Sequence, residues 1–337
     1  MVEFRKLFNT IIAFKESSPW DCFQNADIFA IENPETKQIG YCCIMGAGGE
    51  TFGIAVYLGQ YGWHWLSDRL QDIPLDLFSQ FMQNCISVTF ENAGELDPGD
   101  KQLIKNLGLK FRGKLSYPLL RRYSPGMLPA MVNESEAAFL NLALEQTMFL
   151  APEIKKNPDY LFSAKGDILL RKVSEDKKGW IDQWINPDNQ FDPVIPNITL
   201  ISQNIKQISE IDKKKQTKWI ADMFFLPEPI VEKKGSEPFF PLVLIFINKR
   251  NGIILNFRIS RYNNFRENLT ELFFESVKTF NIIPGFIETT RSEIFSALAP
   301  LQKSLDLRLE HRDSIEELEQ MQEEFMLHFF NSMPPEL

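Results

Sequence analysis

Glu32 closes an apolar run, DIFAIEN (27–33), and Glu91 closes another, ISVTFEN (86–92). Glu134 and Glu136 open a third segment, NESEAAFLNLALEQTMFL (133–150), which has helical spacing. Two strand ends and one helix end can gather acids into one cleft. Several shared carboxylate oxygens there would hold a pair of Mg or Mn ions for phosphodiester or phosphoryl-transfer chemistry. Glu32, Glu91 and Glu136 are therefore the candidate catalytic residues. In the second half of the chain the first-strand position falls near Asn248, which carries no charge, and Glu288 lies on PGFIETT (284–290). That half reads as unable to hold two metals. The simpler reading of all these acids is solvated carboxylates at strand and helix ends.

GAGGE (46–50) offers Gly46, Gly48 and Gly49 as a cradle for phosphate, because successive backbone N–H groups form an anion-binding nest. The segment lacks the Lys and Ser/Thr of a P-loop and the third glycine of GxGxxG. Glu50 would repel an anion. A hairpin tip with glycines at positive φ is the plainer expectation. His64, Cys42, Cys43 and Cys85 could be imagined around zinc, but neighbouring Cys42 and Cys43 on a strand point to opposite faces. No metal site is expected from them. No cofactor is expected except Mg or Mn under the catalytic alternative.

The elements that must position these residues follow from periodicity. Phe4, Leu7, Phe8, Ile11, Ile12 and Phe14 predict an opening amphipathic helix over 3–16. Three strands follow at 27–33, 38–46 and 52–59, then helices at 62–72 and 75–84 and a strand at 86–92. A short helix at 100–107 ends at Gly108, and 115–125 is an edge strand or an irregular one because Pro118 cannot donate to a ladder. Asn133 or Ser135 caps the helix over 133–150, and Pro152 ends it.

Residues 151–235 carry lysine clusters, prolines and strand-like pieces at 166–173, 179–185 and 218–226, with helix over part of 199–216. They read as a connector with extra strands, since Trp180, Trp184 and Trp219 need something to pack on. The domain reading is thus an N-terminal α/β domain (1–150), the connector (151–235) and a C-terminal α/β domain (236–337). In the last of these, 241–249 and 252–260 flank a turn at Asn251-Gly252, with a short third strand near 261–265. A helix at 268–280, a strand at 284–290, a helix at 291–305 bent by Pro300, a strand at 305–312 and a helix at 314–330 complete it.

Matched by order, the two halves repeat: ISVTFEN corresponds to PGFIETT, and NESEAAFLNLALEQ to SIEELEQMQEEFM. The fold class is mixed α+β and α/β, two βββαβαβα halves whose order resembles ribonuclease H-like domains. YCCIMGAGGETFGIAVYLG (41–59) is similar to a segment of an uncharacterised bacterial domain family with a GxGGE tip and a GxAVY strand. LPEPI (226–230), the Pro-led hairpin after it and NIIPGFIETTRSEIFSALAPLQKSLDLRL (281–309) resemble a second uncharacterised domain often found beside the first. These resemblances bring no activity, substrate or catalytic residue.

The net charge of −9 opposes non-specific attraction to nucleic acid and anionic lipid without excluding a local basic face. From Asp306 to Leu337 nine acids stand against two bases. This acidic helix is the candidate surface for a protein partner; nucleic acid and membrane are not expected. No apolar run reaches membrane-spanning length, and MVEFRKLFNT lacks the pattern of a signal peptide. Four scattered cysteines fit a reducing cytoplasm. The leading functional expectation is a non-catalytic binding or interaction protein. The alternatives are a metal-dependent nuclease or phosphotransferase and a small-molecule sensor.

Overall fold

The computed structural model describes residues 1–76, 78–176, 178–190, 204–233, 235–316 and 318. The chain divides into two units, Met1–Pro193 and Val194–Leu337. Each is a mixed sheet with helices.

The first unit runs α1 (Val2–Ser17), β1 (Phe29–Glu32), β2 (Ile39–Met45), β3 (Gly53–Leu58), α2 (Gly59–Leu70), β4 (Cys85–Glu91), α3 (Pro98–Asn106), β5 (Tyr117–Tyr123), α4 (Glu134–Lys156), β6 (Ile168–Val173) and β7 (Trp180–Ile185). Its seven strands lie in the order β5-β4-β3-β2-β1-β6-β7. All neighbours are antiparallel except β1 and β6. Alternation sends Phe29, Ile31, Cys42, Ile44, Val56 and Val88 to one face, with α1 and α4. It sends Ala30, Tyr41, Cys43, Ala55, Tyr57 and Cys85 to the other, against Trp63, Trp65 and Leu66 of α2. α1 forms as expected, burying Phe4, Leu7, Phe8, Ile11 and Phe14 on one stripe. Thr10 donates to the Oδ1 of Asn141 on α4 at 2.7 Å, which fixes the two helices in register.

Several local expectations are corrected. Among the described residues of the stretch predicted as a helix at 75–84, the helical element is a 3₁₀ turn, Ser79–Phe81. Pro152 lies inside α4, which continues to Lys156 while Ile154 stays buried in the core. Asn133 does cap α4, in a reciprocal box with Glu136. β5, with Pro118, is an edge strand.

Gly53, the glycine of the GxAVY segment, has φ +155° and no room for a side chain: a Cβ there would meet the Val88 carbonyl oxygen at 2.1 Å. Gly53→Ala must therefore shift backbone between β3 and β4. We expect a loss of at least about 2 kcal/mol, read as a lower urea midpoint with an unchanged slope.

The second unit runs β8 (Lys213–Phe225), β9 (Leu242–Asn248), β10 (Ile254–Ser260), α5 (Phe265–Phe280), β11 (Ile283–Thr289), α6 (Ser292–Leu305) and β12 (Arg308–His311). The order is β10-β9-β8-β11-β12. β9 runs antiparallel to both β8 and β10, while β11 runs parallel to both β8 and β12. Trp219 packs with Phe246 and with Phe273 of α5 on one face. Ile220, Phe224, Val243, Ile245 and Ile247 cluster with Ile315 and Leu318 on the other. Gly252 takes φ +67° in the β9–β10 turn, as Asn251-Gly252 anticipates.

The missing third strand is not near 261–265, where a 3₁₀ turn (Tyr262–Asn264) leads into α5. The opening strand of this sheet is β8, which the sequence assigns to the connector. The connector's strand-like pieces in fact serve different sheets, β6 and β7 the first and β8 the second. The element-by-element repeat does not extend to strand pairing. In the first unit β4 joins the third strand, antiparallel; in the second, β11 joins the first strand, parallel. A helix between strands permits either return, and element order does not choose between them. The acidic segment 319–337 and residues 191–203 lie outside the described residues. Among the described residues no helix is long and apolar enough to cross a membrane.

Candidate functional site

The chain between β4 and β5 builds an open groove of about 570 Å³ in the first unit. Asp97 and Asp100 form a reciprocal capping box at the start of α3, and Pro98 occupies a first-turn position where no N–H is missed. Gly108, φ +69°, stops the helix. The chain then returns through Leu109, Phe111 and Arg112 to β5. Leu96, Ile104, Leu109, Phe111 and Tyr117 form the apolar wall. Phe111 is set by rings on both sides, 6.3 Å from Phe8 and 6.1 Å from Tyr117. Lys101, Lys105, Lys110 and Arg112 complete the lining, and no acid contributes to it. Among the described residues these four cations form no ion pair.

Arg121 of β5 holds α3 in place. Its guanidinium donates to both carboxylate oxygens of Asp100 at 2.8 Å and to Asp97 at 2.8 Å. Asp100 is buried, with 4% of its surface exposed. The Asp100 hydrogen bonds hold the Arg121 guanidinium even further above neutrality than usual, against the cost of burial. The groove's helix wall is thus pinned by a two-pronged ion pair at the end opposite Gly108.

The carboxylates singled out in the sequence are not brought together. Glu32 ends β1 and Glu91 ends β4, with β2 and β3 between them. Three interstrand spacings put those strands about 14 Å apart. The two strands also run in opposite directions, so their C-terminal ends lie at opposite ends of the sheet. Glu32, Glu134 and Glu136 have local work instead. Glu32 pairs with Lys37 at 3.0 Å. Glu136 accepts from the Asn133 amide in the α4 cap and faces Arg122 at 3.7 Å. Glu134 pairs with the N-terminal amine.

Gly46 and Gly49 close a turn through a hydrogen bond from the Gly49 N–H to the Gly46 carbonyl. A Cβ at Gly46 would strike the Trp20 side chain at 2.6 Å, whereas Gly48 and Gly49 stand in open space. This geometry is that of a hairpin tip. Cys42 and Cys43 do face opposite cores. Burial pushes the Cys43 thiol up to about 11 and the Cys85 thiol up to about 12, so both pack as small apolar groups. His64 is exposed on α2.

In the second unit the first-strand position belongs to β8. Asp222 there is fully buried, 3.7 Å from Arg291. Glu288, 1% exposed, is surrounded by Lys218 at 3.4 Å, Lys249, and Arg312 at 3.6 Å. Burial alone would raise its pKa, but Lys249 and Lys218 together bring it below the usual carboxylate value. Among the described residues no group of three or more His, Cys, Asp or Glu side chains is placed to hold a metal ion.

These features define a protein of two mixed α/β units, with an apolar, cation-rimmed groove in one and basic groups around the buried acids of the other. Residues 4–171 match the domain of unknown function DUF7309, and residues 204–326 match the domain of unknown function DUF6930. The two sequence resemblances fall one within each match. No curated protein matches it.

The groove residues were not among the sequence candidates. Their signal is the run LIKNLGLKFRGK (103–114), in which apolar and basic residues interleave within a chain of net charge −9. Spacing alone does not reveal that the apolar members share a concave wall.

Proposed function

We propose that this chain is a binding protein without a reaction of its own, and that its first unit takes a small ligand with an apolar body and an anionic group. The observation that carries the reading is the groove beside α3: apolar walls, four cations that form no ion pair among the described residues, and no acid among the described lining residues. A volume near 570 Å³ suits a small organic molecule. A carboxylate, sulfonate or phosphate at the rim would meet charge of the opposite sign at its periphery. Separation of Glu32 from Glu91 removes the main support for the catalytic alternative.

The test uses the full chain and the anionic dye anilinonaphthalene sulfonate, displaced by decanoate, decanol or decyltrimethylammonium. Decanoate should displace best and the cationic analogue worst. Each reversed charge removes an attraction of about 1 kcal/mol and adds a comparable repulsion. Lys105→Glu with Arg112→Glu should therefore weaken decanoate at least about tenfold, with the far-UV spectrum unchanged. Equal displacement by the cation would overturn the reading. So would Mg- or Mn-dependent cleavage of a single-stranded substrate that disappears in Glu32→Gln and Glu91→Gln.

A further inference from the structure

The second sheet assembles a row of basic groups that its packing does not require. Lys249 donates its backbone N–H to the Lys218 carbonyl, Lys218 lies beside Phe286, and Phe286 beside Arg308. These four residues form one row across β9, β8, β11 and β12, on one face of the sheet. Glu288, with Ile220 and Glu310 as its register partners, is in the next row of that face. The half-buried ring of Phe286 supports the Lys218 ammonium at 5.2 Å and the Arg308 guanidinium at 5.4 Å from its centre.

One buried carboxylate needs one cation. Glu288 has three: Lys218, Lys249 and Arg312. Arg312 also reaches Glu310, and Arg308 makes no ion pair among the described residues. Holding like charges this close costs repulsion, and the two oxygens of Glu288 cannot accept every N–H that the three side chains present. Lys218, Lys249 and Arg312 remain 43%, 30% and 47% exposed, so their spare donors face solvent.

The place in the fold is also informative. From β8 the chain leaves to β9 on one side, and from β11 it leaves to β12 on the other. The parallel pair β8 and β11 is thus where the chain departs to opposite sides, and the basic row crosses the face of that pair one row to the N-terminal side of Glu288. Glu288 is the penultimate residue of β11.

We propose that this face of the second sheet binds a phosphate ester through Lys218, Lys249, Arg308 and Arg312, with Glu288 as the buried anchor that holds the cations in position. The cationic side chains fill the role that divalent metals would need acids to support. The ligand is either a small phosphorylated molecule or the backbone of a single strand; both offer the same phosphoryl oxygens.

The experiment titrates the full chain with pyrophosphate by calorimetry and with a fluorescent ten-nucleotide oligothymidylate by anisotropy, both in EDTA. Binding should survive EDTA and the groove substitution Lys105→Glu, which separates this site from the first unit. Lys218→Met with Lys249→Met should weaken it at least about tenfold. Should that pair unfold, Arg308→Ala gives the same reading from a side chain that anchors no acid. Glu288→Gln keeps an acceptor oxygen that holds the cations in place while removing the negative charge that competes for them, and should tighten binding several-fold; a cluster serving only to neutralise Glu288 would show no such gain. Pyrophosphate binding without oligonucleotide binding identifies a small ligand, and the reverse identifies a strand. Absence of both at millimolar concentration, or binding indifferent to the Lys and Arg substitutions, overturns the proposal.

Discussion

Arg121→Met should cost the first unit about 3–5 kcal/mol and abolish binding in the groove, the larger effect coming from what the substitution leaves behind. Asp100 is 4% exposed and takes two of its hydrogen bonds from Arg121, each at 2.8 Å. Met fills much of the arginine's volume and supplies no donor. The carboxylate then stays buried with its cap contact to the Asp97 amide at 2.9 Å and the start of α3 as its remaining support. It must either take up a proton or drag α3 toward water. Asp97 is a useful contrast, because its side chain is 73% exposed. Asp97→Ala should cost only about 1 kcal/mol, mostly as a lost cap. Arg121→Met with Asp100→Asn should recover part of the loss, since the stranded charge is gone. Urea unfolding of the four proteins measures all of this. A loss below about 1 kcal/mol in Arg121→Met would mean that Asp100 is not held by the arginine at all. Groove binding adds a second readout, because α3 carries Lys101, Ile104 and Lys105 into the lining.

The sequence carried the local chemistry of this site better than its assembly. Gly108 as a helix stop, Asn133 as a cap and Pro118 on an edge strand are properties of one residue and its neighbours, and each was legible. The pairing of Arg121 with Asp97 and Asp100 joins positions more than twenty residues apart and leaves no periodic trace. Strand partnership was hidden for the same reason. DIFAIEN and ISVTFEN look equally able to lie side by side, and only long-range pairing puts two strands between them. The metal reading of Glu32 and Glu91 depended entirely on that unseen step. The apparent repeat shows the limit most clearly. Strand, hairpin and helix can follow one another in the same order while the fourth strand joins a different partner.

Trp219→Ala should be the most damaging single substitution in the second unit, at about 3–5 kcal/mol. KWIADMFFL (218–226) was read as one extra strand in a connector, because lysines and prolines surround it. In the sheet it is most of β8, the central strand, with β9 on one side and β11 on the other. Its near-continuous apolar run was the available clue. Trp219, Ala221 and Met223 bury one face, and Ile220, Asp222 and Phe224 the other, as a central strand covered on both faces requires. Trp219 is 1% exposed and meets Phe246 at 5.9 Å and Phe273 at 6.1 Å, which themselves lie 6.0 Å apart. Three rings thus join β8, β9 and α5 at one point. Deleting the indole leaves a cavity bounded by two rigid rings that cannot collapse far into it. Trp219→Phe keeps an aromatic in the cluster and should cost about half as much or less. Hydrogen exchange distinguishes this from a merely local defect: amides of β8, β9 and β11 should all exchange faster in Trp219→Ala, because the central strand ties them together. Acceleration confined to β8 would show that the two flanking strands, β9 and β11, hold without it. Trp184, on the edge strand β7 and 43% exposed, supplies the control. Trp184→Ala should change stability by less than about 1 kcal/mol, since an exposed ring at an edge gives up little buried area when removed.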